Sequence, residues 1–390
     1  MTAAVAHSAP PTVRVETLPA GTPRVLLACG GTGGHVYPAI AIADAIRAKH
    51  PAAAIAFAGT RERMEWEAVP KAGYPIHAVP VSGFQRGLSA EALQRNAALP
   101  LKLARGLRES LRIVDGFDPD VVVGTGGYAS GPVGLAAAMR GRALVLQEQN
   151  AYAGATNKLL ARFAERIFIA FEAARASFPA RKCVLAGNPV RTDLAEADPA
   201  EARAHWEIPE RSHVLLVMGG SLGAGPINAA LRAHLDALLA NERTFVLWQT
   251  GPRYFDALRA EVPAHPRLRL MPYVERMDLA YAAADLALCR AGAITCSELA
   301  VTGTPAVLVP SPNVTADHQT KNARALARAG AAVLLAEPDL ADHFADVVPP
   351  LLADVPRRLD MEEAAREIAR PDAAAQIAGA VLELAKARAR

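Results

Sequence analysis

A histidine follows a loop made almost entirely of glycine. Residues 24–29 (RVLLAC) predict a buried strand, residues 30–34 (GGTGG) predict a turn, and a predicted helix begins at His35. The turn would expose backbone N–H groups and the helix would add the positive end of its dipole, so the loop could bind an anion. His35 would then lie at the carboxyl end of a parallel strand, where open α/β sheets bind ligands. The alternative is a tight strand-to-helix turn that binds nothing.

Two further glycine loops follow predicted strands. The strand over 121–123 runs into 124–128 (GTGGY), and the strand over 214–218 runs into 219–225 (GGSLGAG). None of the three loops has the Walker sequence GxxxxGK[ST] or the dinucleotide pattern GxGxxG with a downstream acidic residue. Phosphate binding without a P-loop lysine, and without evident metal ligands, points to a nucleotide whose pyrophosphate is bound by backbone groups.

Short apolar strands alternate with Ala-rich helical segments along the chain. This alternation predicts an α/β fold with parallel sheets covered by helices on both faces. The pattern stops near 189–199 and restarts, so we expect two doubly wound domains facing a cleft, the default ligand site of that arrangement. The predicted strands are 25–29, 54–58, 76–81, 121–124, 143–147, 166–170 and 183–186, then 214–218, 244–249, 268–272, 286–289, 306–309 and 332–335. The predicted segments are a disordered tail (1–23), an N-terminal domain (24–188), a C-terminal domain (189–358) and a C-terminal helical segment (359–390).

Composition narrows the class of protein. With 390 residues, 52% hydrophobic and 21% charged, the chain can bury a large core. A net charge of +3 is too small to imply a nucleic-acid partner. The four cysteines are scattered and form no CxxC pair, which predicts free thiols in a reducing compartment. No apolar run reaches the ~18 residues of a membrane-spanning helix, and the N-terminal tail lacks the features of a signal peptide.

Seven motifs in order resemble the MurG family of UDP-N-acetylglucosamine:lipid I N-acetylglucosaminyltransferases of peptidoglycan synthesis, which have the GT-B fold. They are GGTGGHVYPA (30–39), GTGGYASGP (124–132), EQN (148–150), GNPVR (187–191), GGSLGA (219–224), CRAGAITCSE (289–298) and DHQTKNA (317–323). The resemblance runs from Arg24 to about Ala380. Two positions depart from the family pattern: Gln147 replaces the histidine that commonly precedes Glu148, and Leu222 replaces a glutamine, so backbone groups must bind phosphate there.

The resemblance implies that the C-terminal domain binds the donor, UDP-GlcNAc. Ser221 would contact the pyrophosphate, Arg191 would lie near the uridine, and Val274 would offer backbone to the uracil. The start of a helix would face a phosphate, with the substrate-binding residues Ala293, Ile294, Thr295, Cys296 and Ser297. Gln319 would read the hydroxyls of the sugar, because an amide both donates and accepts.

Glu298 has two interpretations. The resemblance implies that its carboxylate accepts from the ribose hydroxyls. The alternative is structural, because Thr295 and the residues after it also fit a capping box, in which Glu298 bonds back to the backbone.

The chemistry implied is an inverting transfer of GlcNAc to the muramyl C4 hydroxyl of lipid I, an undecaprenyl-linked acceptor, without metal or cofactor. His35 is the first choice for the base, because imidazole titrates near neutral pH. The alternative is a neutral ring that caps the helix or orients the acceptor. Thr32, Gly33, Gly34 and Asn150 of the N-terminal domain would close over the donor sugar and the acceptor.

An amphipathic basic helix is predicted after an apolar loop over 81–88. Its apolar positions are Leu101, Ala104, Leu107, Leu111 and Val114, and its basic positions are Lys102, Arg105, Arg108 and Arg112. With the resemblance, this pattern predicts contact of Leu101, Lys102, Arg105 and Arg108 with an anionic membrane. The alternative is a helix that packs on the sheet with a solvated basic face. We therefore expect a peripheral protein at the cytoplasmic face of a bacterial inner membrane, with partners possible in cell-wall or division complexes.

Three rival functions share some of these features. Another UDP-sugar enzyme of the same architecture, such as an epimerase or a different lipid glycosyltransferase, would have the glycine loops. A nicotinamide-dependent oxidoreductase is disfavoured, because the GxGxxG pattern is missing. A non-catalytic sensor would bind UDP-GlcNAc but release no UDP when given acceptor.

Overall fold

Two separate parallel sheets organise the chain in the computed structural model, which describes residues 19, 21–61, 63–81, 99–191, 194–314 and 317–388. The described residues form two compact units. The first unit takes those within 1–149, 153–189 and 372–390, and the second takes 150–152 and those within 190–371. The predicted tail over 1–23 and the predicted apolar loop over 81–88 lie mostly outside the described residues.

Seven parallel strands form the sheet of the first unit, in the order β3-β2-β1-β4-β5-β6-β7. The strands are β1 (Arg24–Ala28), β2 (Ala54–Gly59), β3 (Ile76–Ala78), β4 (Val121–Gly124), β5 (Ala143–Glu148), β6 (Arg166–Ile169) and β7 (Cys183–Leu185). The described helices are α1 (Gly33–Lys49), α2 (Glu65–Lys71), α3 (Leu99–Phe117), α4 (Ser130–Met139), α5 (Ala155–Leu160) and the last helix of the chain, α14 (Ala373–Arg388). Two short 3-10 helices, Glu172–Ser177 and Ala180–Lys182, precede β7.

Both faces of this sheet are buried, because the residues of β1 after Arg24 are all apolar. Val25 and Leu27 point to the face that α1 and α14 cover. Leu26 and Ala28 point to the opposite face, which α3 and α4 cover. A fully buried aliphatic side chain of this size contributes about 1.5–3 kcal/mol by leaving water. The uninterrupted apolar run is therefore what makes β1 a central strand.

Six parallel strands form the sheet of the second unit, in the order β10-β9-β8-β11-β12-β13. They are β8 (His213–Met218), β9 (Thr244–Gln249), β10 (Leu268–Met271), β11 (Leu286–Cys289), β12 (Ala306–Leu308) and β13 (Ala332–Leu334). The helices are α6 (Pro199–Trp206), α7 (Gly225–Ala240), α8 (Pro252–Glu261), α9 (Met277–Ala283), α10 (Ala293–Thr302), α11 (His318–Arg328), α12 (Leu340–Ala353) and α13 (Val355–Ile368). A 3-10 turn, Glu337–Asp339, precedes α12. No described helix is long and apolar enough to cross a membrane.

The predicted α/β class with two parallel sheets is confirmed. Each predicted strand is present, although β3 ends at Ala78, three residues before its predicted end. Helix α1 begins at Gly33, not at His35, because the Thr32 carbonyl already accepts from the His35 N–H at 3.0 Å.

The C-terminal helical segment divides between the two units. Helix α13 belongs to the second unit, whereas α14 returns to the first unit and packs on α1. The face of α14 that bears Ile377 and Val381 lies in the same core as Ile42 of α1. The linear division at residue 358 did not anticipate this return, because helical periodicity shows that a helix is amphipathic but not which sheet it covers.

The order of strands reverses once in each sheet. In the first unit the reversal lies between β1 and β4, and in the second it lies between β8 and β11. Ligands of open α/β sheets bind at the carboxyl ends of the strands at such reversals. All three predicted glycine loops leave strands that flank a reversal, so each unit has its own candidate ligand site.

Candidate active site

A buried carboxylate holds the first glycine loop. Glu65 begins α2, and its Oε2 accepts from the Gly31 N–H at 3.1 Å. Its Oε1 accepts from the backbone N–H and the hydroxyl of Thr60 at 3.0 and 2.6 Å. The positive end of α2 favours a negative charge at this position. Sequence reasoning missed Glu65, whose only signal is an acidic residue in the first turn of a helix.

The two glycine loops of the first unit touch backbone to backbone. Gly127 has a φ of +81°, and a Cβ built on it would lie 2.1 Å from the Gly30 carbonyl oxygen. Ser130 adds a second link, because its Oγ lies 2.6 Å from the Ala28 carbonyl and accepts from the Gly126 N–H at 3.2 Å. Only glycine allows this approach, so the loops after β1 and β4 form one surface.

The His35 ring lies against both the second glycine loop and the end of β5. Its Nδ1 is 3.0 Å from the Thr125 carbonyl oxygen and 3.1 Å from Gln149 Oε1. Both oxygens are acceptors, so Nδ1 carries the hydrogen and the neutral ring has its lone pair on Nε2. The Thr125 hydroxyl donates to the His35 carbonyl at 2.8 Å. A ring that capped α1 would bond to the end of that helix. The Nδ1 contacts of His35 are instead with Thr125 and Gln149. Sequence reasoning missed Thr125 and Gln149.

The EQN motif holds its own loop. Glu148 is buried, and its Oε2 accepts from the Gly154 N–H and from Asn157 Nδ2, both at 2.9 Å. The preceding Gln147 is also buried and donates to Asn188 Oδ1 at 2.8 Å. At position 147, where the family commonly has a histidine, this chain therefore has an amide that does not titrate and that bonds to other amides.

A basic cavity of about 600 Å³ adjoins the first glycine loop. Its lining includes Gly31, Arg61, Arg63, Lys102, Arg105 and Glu109. Among the described residues that line it, four cations face one carboxylate, an arrangement that suits an anion with more than one negative charge. The sequence pattern indicated the two basic residues on the helix but not the two that follow β2.

Helix α3 was predicted either to contact a membrane or to pack on the sheet, and its two halves differ in this respect. Ile113, Val114 and Phe117 in its second half are buried in the core of the first unit. In its first half, Leu101 is 55% exposed and Leu103 is 48% exposed. Of the predicted membrane-contact residues, Arg105 and Arg108 are exposed and Lys102 is half-buried. The helix therefore packs at one end and presents apolar and basic side chains at the other.

In the second unit, Gln249 ties the third glycine loop to Val274. Gln249 Nε2 donates to the Gly220 carbonyl at 2.8 Å, and its Oε1 accepts from the Val274 N–H at 3.3 Å. Ser221 is exposed on this loop, and the neighbouring Leu222 is 76% exposed. Because Gln249 already uses the Val274 N–H, the predicted backbone contact to a base would use the Val274 carbonyl.

Helix α10 begins at the carboxyl end of β11, next to β8. Its N-cap is Gly292, and the first N–H that bonds within it is that of Cys296, which donates to the Gly292 carbonyl at 2.9 Å. The N–H groups of Ala293, Ile294 and Thr295 lie in the first turn, where N–H groups have no carbonyl of the same helix to bond. The capping box starting at Thr295 is wrong, because the helix begins two residues earlier.

The side chains of Cys296 and Ser297 are held within the protein. Cys296 is buried, which raises the pKa of its thiol well above the usual value. Its N–H is also used within the helix. Ser297 Oγ donates back to the Ala293 carbonyl at 3.1 Å. Contact of Cys296 or Ser297 with a ligand therefore stays a prediction.

A buried tyrosine orients Glu298. The Tyr281 hydroxyl donates to Glu298 Oε2 at 3.0 Å, although the two residues lie on different helices. Burial, followed by the negative charge of Glu298, raises the pKa of Tyr281 well above its ordinary value. The phenol therefore stays protonated and donates its hydrogen to Glu298 Oε2. Sequence reasoning missed Tyr281.

Removing this hydroxyl tests whether Glu298 binds the donor. Tyr281→Phe should weaken the affinity for UDP-GlcNAc by about 1 kcal/mol, or about fivefold in Kd, because the carboxylate loses the bond that orients it. Isothermal titration calorimetry measures that change. Tyr74→Phe is the matched control, because the Tyr74 hydroxyl also donates to a carboxylate, that of Asp44, but in the first unit. Equal Kd values for both variants would argue against the role of Glu298.

Three other predicted residues lie in the second unit. Gln319 begins α11 with its neighbour His318, and its Oε1 accepts from the Ser311 N–H at 2.9 Å, which sets the orientation of the amide. Arg191 is exposed at the start of the unit. Asn150 was expected with the N-terminal domain, but it groups with the second unit.

Asn322 explains the position of Asn150. Asn322 is fully buried, and its Nδ2 lies 3.3 Å from Asn150 Oδ1 while donating to the Ala291 carbonyl at 3.2 Å. Its Oδ1 accepts from the Ala151 N–H at 2.9 Å. This buried side chain binds residues 150–151 to the loop after β11. The part of the chain that the structure describes has no group of three or more His, Cys, Asp or Glu residues arranged for a metal ion.

Comparison with known proteins identifies the class. Residues 25–169 match the family model of the glycosyltransferase family 28 N-terminal domain, and residues 214–377 match that of the C-terminal domain. The matches contain the three glycine loops and, apart from β7, nearly all residues of the thirteen strands, so the fold is that of a two-domain glycosyltransferase.

The relatives then identify the family. A Salinibacter ruber protein named UDP-N-acetylglucosamine--N-acetylmuramyl-(pentapeptide) pyrophosphoryl-undecaprenol N-acetylglucosamine transferase is 58% identical over 363 residues, 93% of this chain and 97% of that protein. The crystal structure of Acinetobacter baumannii MurG superposes with a TM-score of 0.72 at 30% identity, covering 93% and 99% of the two chains. The chain belongs to the MurG family of glycosyltransferases. A Neisseria meningitidis UDP-GlcNAc 2-epimerase shares the fold, with a TM-score of 0.59 at 16% identity over 93% and 99% of the chains.

Proposed function

We propose that this protein transfers GlcNAc from UDP-GlcNAc to the C4 hydroxyl of the muramyl sugar of lipid I, forming lipid II with inversion and without a metal ion. The observation that carries the proposal is the contact of His35 Nδ1 with two acceptor oxygens, in a chain of the MurG family. This contact leaves the lone pair of the neutral ring on Nε2, the form that a general base requires.

The second unit would bind the donor. The loop that carries Ser221 and the N–H groups at the start of α10 would contact the pyrophosphate, because both present backbone donors to an anion. Glu298, oriented by Tyr281, would accept from the ribose hydroxyls. Gln319 would donate its Nε2–H to a hydroxyl of the sugar, because Ser311 already uses its Oε1. Arg191 would lie near the uridine.

The first unit would bind the acceptor. Lipid I has a diphosphate between its sugar and its undecaprenyl chain, and the basic cavity beside Gly31 offers four cations for that group. The adjoining loop, with Thr32, Gly33 and Gly34, would direct the muramyl sugar towards His35. Arg61 and Arg63 give this cavity bidentate donors that suit phosphate oxygens.

The reaction would proceed in one displacement. His35 Nε2 takes the hydrogen of the C4 hydroxyl as its oxygen forms a bond to the anomeric carbon of GlcNAc. The bond from that carbon to the phosphate oxygen breaks, and UDP leaves with the electron pair. The backbone donors around Ser221 and the start of α10 would stabilise the charge that develops on the diphosphate.

The proposal is tested by measuring UDP release from UDP-GlcNAc, with and without a lipid I analogue, in EDTA. We expect release that depends on the acceptor and persists in EDTA. Release that stops in EDTA and returns with a divalent cation would contradict the metal-independent mechanism. Donor binding without release would instead identify a sensor, and analysis of the anomeric configuration of the product tests inversion.

The exposed end of α3 suggests peripheral attachment to the cytoplasmic face of a bacterial inner membrane. Each basic residue near an anionic surface contributes about 1 kcal/mol to binding. Arg108→Glu should therefore weaken binding to anionic liposomes at least about fivefold, without changing activity on a soluble acceptor. Lys102→Glu and Arg105→Glu should reduce both, because these two residues also line the basic cavity. A sedimentation assay measures liposome binding.

The exposed Arg370 of the second unit provides a control for this series, because Arg370→Glu makes the same change of charge away from α3. Equal losses of liposome binding for Arg370→Glu and Arg108→Glu would show that the loss comes from the change in net charge and not from a contact of α3 with the membrane. Equal losses of liposome binding and of soluble activity in Arg108→Glu would speak against a membrane role for that residue.

A further inference from the structure

Three buried amide side chains extend from His35 into the first unit. Gln147, Gln149 and Asn188 are each at most 1% exposed. Gln149 Oε1 faces His35 Nδ1 at 3.1 Å, and Gln149 Nε2 donates to Gln147 Oε1. Gln147 Nε2 in turn donates to Asn188 Oδ1 at 2.8 Å. The contacts form a continuous series from the ring to the end of the N-terminal sheet.

The direction of this series is determined at its far end. Asn188 Nδ2 donates to the backbone carbonyl of Gln149 at 3.0 Å, and a carbonyl can only accept. Asn188 Oδ1 must therefore face Gln147, and Gln147 Nε2 donates to it. Gln147 Oε1 then faces Gln149, and it accepts a hydrogen bond from Gln149 Nε2.

The near end of the series follows from the same logic. Gln149 Nε2 also donates to the Thr125 carbonyl at 2.5 Å, so two acceptors hold the amide nitrogen on that side. Its Oε1 is left to face His35, where Thr125 offers a second acceptor. Reversing any one amide would oppose two donors or two acceptors inside the protein, where a buried polar group without its hydrogen bond is unfavourable.

We propose that Gln149, Gln147 and Asn188 form an amide relay that holds the hydrogen of His35 on Nδ1 and keeps the lone pair of the neutral ring on Nε2. The three are positioning residues, since they act through His35 and not on the substrate. The kinetic part of this inference rests on the proposed role of His35 as the base. Because amides neither gain nor lose a proton near neutral pH, the relay maintains one tautomer without a charged partner.

The first measurement is a long-range ¹H–¹⁵N correlation spectrum of the full chain labelled at histidine, recorded at about pH 8.5, roughly two units above the ordinary imidazole pKa. Protonated and bare ring nitrogens have distinct ¹⁵N shifts, and the spectrum of His35→Gln identifies the His35 signals among the ten histidines. We expect Nδ1 protonated and Nε2 bare. The reverse tautomer in the unaltered protein would overturn the proposal, whether or not the protein transfers sugar.

The second measurement breaks the relay away from the ring. Gln147→Met keeps the length of the side chain, removes both relay bonds and does not touch His35. We expect the Nε2–H tautomer to become detectable and kcat to fall about tenfold with the KM for donor unchanged, at the low end of the loss seen when a group that orients a metal-bound histidine is removed. Gln149→Met should show the same two changes.

Gln376→Met is the control, because Gln376 is exposed on α14 of the same unit. It should alter neither the spectrum nor kcat. A shift of tautomer in Gln149→Met but not in Gln147→Met would overturn the relay and leave Gln149 as an isolated partner. An unaltered protein that shows the expected tautomer but no UDP release would contradict the proposed function and leave the relay standing.

Discussion

Replacing His35 with alanine should lower kcat for UDP release by about 100-fold to 10,000-fold, the usual contribution of a general base. The affinity for UDP-GlcNAc should stay the same, because the predicted donor contacts lie in the second unit. We expect this loss from the proposed role of the ring: Nδ1 faces the Thr125 carbonyl and Gln149, so Nε2 is the atom that would take a hydrogen from a hydroxyl. Steady-state kinetics with a lipid I analogue and titration calorimetry with UDP-GlcNAc measure the two effects.

His50→Ala is the matched control for this variant. His50 lies at the C-cap of the same helix, α1, so its loss removes a histidine from the opposite end of one element. A change in the KM for acceptor with kcat preserved in His35→Ala would favour the alternative in which the ring orients the acceptor. Equal kcat in His35→Ala and the unaltered protein would exclude both roles and direct the search for a base to other side chains near the loop.

The fold was predictable because its signals are local. A buried parallel strand such as β1 is a short apolar run, and each run is followed by a helical pattern, so strand positions could be predicted one at a time. The return of α14 to the first unit was not predictable in this way. Its partner α1 lies more than 300 positions earlier in the sequence, and no periodicity encodes that contact.

The same distinction separates the parts of the site. The glycine loops have a local signature, so their positions at the carboxyl ends of strands could be predicted, whereas the order of the strands could not. Glu65, Gln149 and Tyr281 could not, because each acts through a contact with a distant part of the chain, such as the 114 positions between His35 and Gln149. The sequence does not distinguish a single buried glutamine or tyrosine from an exposed one. What makes it functional is the acceptor or donor that folding brings to it.

The contact between the two glycine loops gives the largest expected effect on stability. Gly127→Ala should lower the free energy of unfolding by about 4–5 kcal/mol, at the upper end for single substitutions. Its Cβ would lie 2.1 Å from the Gly30 carbonyl oxygen, and neither partner is a flexible side chain that could move aside. The φ of +81° adds a strain of about 1–2 kcal/mol for any residue with a Cβ. Urea denaturation measures the change.

Two other glycines separate the collision from the strain. Gly31 has a φ of +94° but open space around its Cβ position, so Gly31→Ala should cost only the strain, about 1–2 kcal/mol. Gly116 lies within α3 and also has open space, so Gly116→Ala should raise stability by about 0.5–1 kcal/mol through the better helix propensity of alanine. We therefore expect Gly127→Ala to be the most destabilising, Gly31→Ala to be intermediate and Gly116→Ala to be the least. Only the first of these variants places a Cβ against a second backbone. If Gly127→Ala cost no more than Gly31→Ala, the loops after β1 and β4 would have to be separate, and the surface they form beside His35 would not exist as a unit.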